Sequence, residues 1–292
     1  MTDQRLDRNL MAPHNGWGAA QSLVPLAAYT ILLWAAATLQ GPVLALVAGL
    51  IGLVQYRLYF PLHEAAHNSL FTRPWANRAM GQFLAGLLFT SYEAFRQEHW
   101  VHHGSFGSAK DPGRVDYDVR FSGRRELAIF LLAPLMGGTV LIKLRNLVSF
   151  SDPRRNARAL QARSEMLFML LLQSGLFFGL QGPFDAPWRY PVLVVLPFAT
   201  IFLFLSRLRM FLEHAPLDNS ASLLSRSVTG RDIFSSLLSG CNFRYHNDHH
   251  RYPQIPGVHL PHIRALRGVP AEAREVTVSY LSPLRSHWRN LR

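Results

Sequence analysis

Apolar and polar positions along this chain fall into long blocks rather than a short alternation. Four apolar runs stand out: Ala20–Leu39, Gly41–Phe60, Glu165–Leu180 and Tyr190–Leu205. A helix needs about 20 apolar residues to cross the hydrocarbon core, so each run reads as a transmembrane helix, the third and fourth being the shortest. Gln40-Gly41-Pro42 separates the first two, and the turn-rich Gln181-Gly182-Pro183-Phe184-Asp185-Ala186-Pro187 joins the second two. Connections this short imply tight reversals. The predicted fold is an all-α integral membrane domain over 1–292, with four transmembrane helices in two hairpins and the polar segments forming a helical cap. Gly81–Thr90 and Leu127–Leu141 are too short to span and are read as interfacial or half-buried helices.

Charge orients these helices. Lys and Arg number 14 between Pro61 and Arg163 and 12 from Arg207 to the end, whereas the two turns carry only Arg189. By the positive-inside rule, the N-terminus, the long middle segment and the C-terminal segment face the cytoplasm, across what is read as a plasma (inner) membrane. Only 16% of residues are charged and 49% are hydrophobic, against roughly a quarter charged in soluble domains. The net charge of +12 fits anionic headgroups or an acidic protein partner. No repeated aromatic–basic pattern supports nucleic acid as a partner. Met1–Trp17 has charges at Asp3, Arg5, Asp7 and Arg8 and no apolar centre, so it does not read as a signal peptide. Cys241 is the single cysteine, which excludes an intramolecular disulfide and a thiolate-held cluster.

Histidine carries the candidate chemistry. Nine of 13 fall in four groups: His63-Glu64-Ala65-Ala66-His67, His99-Trp100-Val101-His102-His103, His214, and His246-Asn247-Asp248-His249-His250. Positions i, i+3 and i+4 share a helix face, so each group aims its imidazoles one way. A structural zinc takes four ligands and a catalytic zinc three plus water. Nine nitrogens therefore fit two metals of about five ligands each, and imidazole alone suits zinc, copper, iron or nickel. Glu64, Glu98, Glu213 and Asp248 adjoin these histidines as candidates for orienting the rings through their other nitrogen. His14, His259, His262 and His287 lie outside the pattern and read as non-ligands. The first group alone also matches a zinc-protease motif with Glu64 as base. A metal transporter would place polar ligands inside the spans, yet the four runs contain no His, Asp or Lys.

Together, HEAAH, HWVHH and HNDHH resemble the three histidine boxes of the membrane fatty acid desaturase superfamily, from about Gly41 to Leu266. The tail Arg251-Tyr252-Pro253-Gln254-Ile255-Pro256 and the Asp111-Pro112 loop add to the likeness. The resemblance implies two iron ions held by His63, His67, His99, His102, His103, His214, His246, His249 and His250, with molecular oxygen as co-substrate. It implies desaturation of a fatty acyl or other lipid chain, or hydroxylation or ketolation of a lipid, carotenoid or other apolar substrate. No His-Pro-Gly-Gly haem motif or Cys cluster occurs, so a separate, ferredoxin-like electron donor is expected. One departure stands out. The acyl-CoA branch has an Asn four residues before the lone histidine, where this chain has Met210.

Overall fold

Most of each apolar run lies in a helix that extends past at least one end of the run, the first run outlasting its helix at Ala36. In the computed structural model, which describes residues 8–36, 38–140, 156–181, 186–217, 225–268 and 276–292, these helices are α1 (Asn15–Ala36), α2 (Gly41–Ala66), α6 (Asn156–Gln181) and α7 (Pro191–His214). Four stretches, Asn15–Ala36, Gly41–Ala66, Arg163–Gln181 and Pro191–His214, are long and apolar enough to cross a membrane. Between them lie α3 (Pro74–Leu87), α4 (Tyr92–Ser105) and α5 (Arg124–Leu132); beyond them, α8 (Ile233–Leu238), α9 (His246–Arg251), α10 (Leu260–Arg267) and α11 (Leu281–Asn290).

α2 is the axis of the fold. Its buried positions Leu44, Val47, Ala48, Ile51, Gly52 and Gln55 recur at helical spacing and form a stripe. α1 packs along α2, and so does α7. α7 comes close to α2 at Gly52, where a β-carbon would sit 2.7 Å from the Ile201 β-carbon. Outward-facing Leu23, Val24, Ile31 and Trp34 on α1, and Leu167, Leu170, Leu171 and Phe178 on α6, are exposed, as expected of faces that meet lipid.

Polar side chains inside the spans satisfy irregular backbone. α7 contains two π-helical turns, Pro191–Val195 and Phe198–Phe202, which leave carbonyls off the regular ladder. Gln55 Nε2 donates to one of them, Val194 O, at 2.9 Å. Non-helical backbone at membrane depth is tolerated when protein groups satisfy it in this way. Arg189 donates to Ala36 O at 2.6 Å, placing a cation at the negative end of α1.

The sequence-adjacent α6 and α7 find different partners. α6 packs on α3 and α4, and just before α7 it meets Tyr190, whose hydroxyl donates to Gln173 Oε1 at 2.8 Å. Gln173 in turn donates to Gly86 O at the end of α3 at 2.7 Å. In the first half of α6, buried Glu165 Oε2 accepts from Ser91 Oγ at 2.7 Å and Glu93 N at 2.8 Å. An acidic group at a helix N-terminus is favourable, so this contact fixes the position of α4. Residues 182–185 of the second connecting turn lie outside the described residues.

Two expectations need correction. Leu127–Leu141 is not one helix: α5 gives way to a 3₁₀ turn, Ala133–Met136, at Pro134 and Gly137 (φ 74°), because proline clashes with the preceding turn and glycine admits positive φ. Leu141 lies outside the described residues. Nor is the fold strictly all-α. Strands β1 (Ser227–Val228) and β2 (Val276–Thr277) pair in parallel, and Val228 N donates to Arg244 O, anchoring the segment that leads into α9.

Candidate metal centre

The histidine groups arrive on four helix ends. His63 lies in the last turn of α2 and His67 caps it. α4 carries His99, His102 and His103, the last turn of α7 carries His214, and α9 carries His246, His249 and His250. Behind α2, Asn77 Oδ1 accepts from Leu70 N and Phe71 N at 3.0 Å, and this locks the loop that follows His67. Ahead of α9, Cys241 and Asn242 both adopt left-handed backbone (φ 50° and 61°), uncommon for non-glycine residues and characteristic of functional sites. The bend brings Phe243 against His63 and His249, with ring centroids 4.1 and 4.8 Å away.

The nine imidazoles sort into two groups. His63, His67, His99, His103 and His249 each place a nitrogen within 4.8 Å of all the others, and so do His102, His214 and His250. His246 joins the second group, its Nε2 lying 2.9 Å from His214 Nε2 and 3.1 Å from His250 Nε2. In each HxxHH motif the i, i+4 pair thus serves one group while the i+3 histidine reaches the other. In the first group, Nε2–Nε2 distances are 2.8 Å for His67–His99, 3.0 Å for His99–His103 and 3.1 Å for His103–His249. Metal–nitrogen bonds of roughly 2.0–2.1 Å meeting at right angles separate neighbouring nitrogens by about 2.9 Å. The donor sets therefore fit two cations. Burial, and then neighbouring imidazoles, hold His67, His99, His246, His249 and His250 well below the usual 6.5, and His103 is pushed down to about 3. These rings are neutral at physiological pH, the form that binds metal.

The proposed ring-orienting carboxylates are placed differently from the expectation. Glu64 Oε2 accepts from Gly257 N at 3.0 Å, tying α2 to the tail behind α9. A β-carbon on Gly257 would lie 2.1 Å from Cys241 O, so only glycine fits there. Asp248 accepts from Ser227 Oγ at 2.7 Å and Arg267 NH1 at 2.6 Å. Its charge is spent anchoring α9 to β1 and α10. Glu98 is exposed. Glu213 is at the cluster, but its Oε2 lies 3.4 Å from His246 Nε2, on the side of the ring that faces the other donors.

Aromatic packing orients the rings instead. The Nδ1 atoms of His63, His67, His103, His214, His246 and His249 are buried without hydrogen-bond partners among the described residues. Trp100 packs on His67 at 4.9 Å, Phe95 stacks over His99 at 5.7 Å, and Phe106 lies 4.7 Å from His214. His102 differs: its Nδ1 bonds Asp111 Oδ1 at 2.9 Å. Asp111 also accepts from Gly113 N at 2.8 Å and from the Tyr117 hydroxyl. Burial favours the neutral acid, yet the bonds from His102 and Tyr117 outweigh it and hold Asp111 below the usual carboxylate range. The sequence offered one signal for Asp111, its place in the acidic loop nine residues after His102. It offered none for Tyr280, 67 residues beyond its partner Glu213, or for buried Arg209, which lies over Tyr59 and Phe60.

Histidines outside the boxes serve elsewhere. His14 Nδ1 accepts from Trp17 N at 3.0 Å at the start of α1, His287 packs on Phe211, His259 bonds Ala12 O, and His262 is exposed.

The chain is similar to known desaturases along most of its length. "Dihydrorhizobitoxine desaturase" of Bradyrhizobium elkanii is 27% identical over 233 residues, which is 71% of this chain and 62% of that protein. "Putative sphingolipid delta(4)-desaturase/C4-monooxygenase" of Caenorhabditis elegans is 25% identical over 227 residues, 74% of this chain and 56% of that protein. The chain thus spans less than two thirds of the length of these curated relatives. The fatty acid desaturase family model matches residues 15–281, nearly the whole chain, and with the histidine groups brought together as described, the chain belongs to the fatty acid desaturase family.

Proposed function

We propose that this protein is an oxygen-dependent di-iron desaturase acting on a fatty acyl or other lipid chain. The observation that carries the reading is the sorting of nine imidazoles into groups of five and four in a chain of the fatty acid desaturase family. His63, His67, His99, His103 and His249 would hold one iron; His102, His214, His246 and His250 would hold the other. When bound and reduced by a separate, ferredoxin-like donor protein, the two irons supply the oxygen activation that breaks an unactivated C–H bond. Removing two hydrogens as a double bond uses one dioxygen, two electrons and two protons, and yields two waters. The chain's own part is to orient the imidazoles and to keep bulk water off them with Phe95, Trp100, Phe106 and Phe243.

Hydroxylation by the same centre is the second reading, favoured by the C. elegans relative, whose name joins desaturase and monooxygenase. A zinc protease is disfavoured, because Glu64, its required base, is engaged with Gly257 N. Lipid extracts from a host expressing the gene should contain an oxygen-dependent product lighter by two hydrogens; a product heavier by one oxygen would select the hydroxylase. No gene-dependent change in any lipid pool would contradict both.

Both α2 and α7 end at the histidine cluster and begin away from it, as two hairpins with turns opposite the cluster would require. With the Lys and Arg asymmetry, this supports a cytoplasmic helical cap and cytoplasmic termini in the plasma (inner) membrane. Cys241 is buried, which leaves a quiet background for thiol labelling. In intact cells, an impermeant reagent should label Trp188→Cys and spare Arg120→Cys until the membrane is opened. Reversed labelling would invert the topology.

A further inference from the structure

Glu213 has one carboxylate oxygen held by the protein and one left over. Oε1 accepts from the Tyr280 hydroxyl at 2.5 Å. Oε2 has no hydrogen-bond partner among the described residues, although the residue is fully buried. That oxygen lies 3.4 Å from His246 Nε2, the nitrogen that also faces His214 and His250. Arg209 NH1 forms an ion pair with it at 3.6 Å, too long for a hydrogen bond. A buried carboxylate oxygen without a donor is costly, and a cation among these imidazoles would supply the missing partner.

Two further observations point the same way. The cluster is lopsided, with five imidazoles in one group and four in the other, and Glu213, His214 and His246 present three donor atoms within 4.8 Å of one another. Met210 has its terminal carbon beside Gly113, and its thioether is a weak donor that does not fill the gap. Nine neutral imidazoles cancel none of the charge of two buried divalent cations, whereas a coordinated carboxylate cancels part of it.

We propose that Glu213 Oε2 is a tenth metal donor, taking at the four-imidazole position the place a fifth imidazole takes at the other. The Tyr280 hydroxyl aims the carboxylate, leaving Oε2 free for the metal. The inference rests on the di-iron reading and deepens it, because it makes the two metals chemically distinct.

The test uses full-length protein loaded with Mössbauer-active iron. The unaltered protein should show two doublets of equal area, one for each donor set. In Glu213→Gln, iron should fall from about two towards about one per chain, with selective loss of one doublet. Tyr280→Phe, which keeps the carboxylate, should retain both irons and shift that same doublet alone. Two irons with both doublets unchanged in Glu213→Gln would overturn the inference while leaving the di-iron reading intact. Should Glu213→Gln fail to fold, Tyr280→Phe decides, and an unshifted spectrum overturns the proposal. Absence of two irons in the unaltered protein would instead overturn the di-iron reading, and this proposal with it.

Discussion

Replacing His214 with alanine should lower bound iron from about two towards about one per chain and abolish oxygen-dependent turnover. His214 is fully buried, and its Nε2 lies 2.9 Å from His246 Nε2 in the smaller imidazole group. That group has no imidazole to spare. The last turn of α7 is held independently, because Arg226 donates to Leu212 O at 3.0 Å and to Ala215 O. Loss of the ring should therefore leave the backbone in place and remove a donor. His262→Ala is the matched control, since His262 is exposed on α10 away from the cluster, and it should change neither iron nor turnover. Metal analysis with an activity assay on the same preparations checks both. Full iron and normal turnover in His214→Ala would reduce the ligand set to eight.

Asp111→Ala should weaken iron retention or activity by about 10–100-fold, the usual cost of losing a partner that orients a ligating histidine. Asp111 bonds Nδ1 of His102 and so leaves Nε2 to face His214 and His250. Without it, His102 loses its fixed tautomer and the Tyr117 hydroxyl loses its acceptor. Tyr117→Phe removes only the supporting bond and should have a smaller effect. Timed iron release to a chelator separates the cases: Asp111→Ala should release one iron faster than the other, and release of both at the native rate would deny Asp111 its role.

The legible part of the fold was its hydropathy. Runs such as Gly41–Phe60 and Tyr190–Leu205 marked two spans, but the helices continue to Ala66 and His214, because hydrogen bonding does not stop where lipid-like composition stops. The added turns are the ones that carry His63 and His214. The box spacing placed nine histidines on common faces, and the structure brings all nine together. How they divide was not legible, since His102 and His103 are neighbours in the chain yet face different groups. The carboxylates were the least legible, because adjacency in sequence says little about direction. Glu64 and Asp248 follow or lie between box histidines, yet they tie Gly257 and Arg267 into the fold. Asp111, nine residues from its histidine, is the carboxylate that orients a ring.

The iron content of purified, full-length protein tests the central claim most directly. Two groups of imidazoles, five and four strong, should hold close to two irons per chain when the protein is loaded without competing metals. One zinc and no iron would contradict the account.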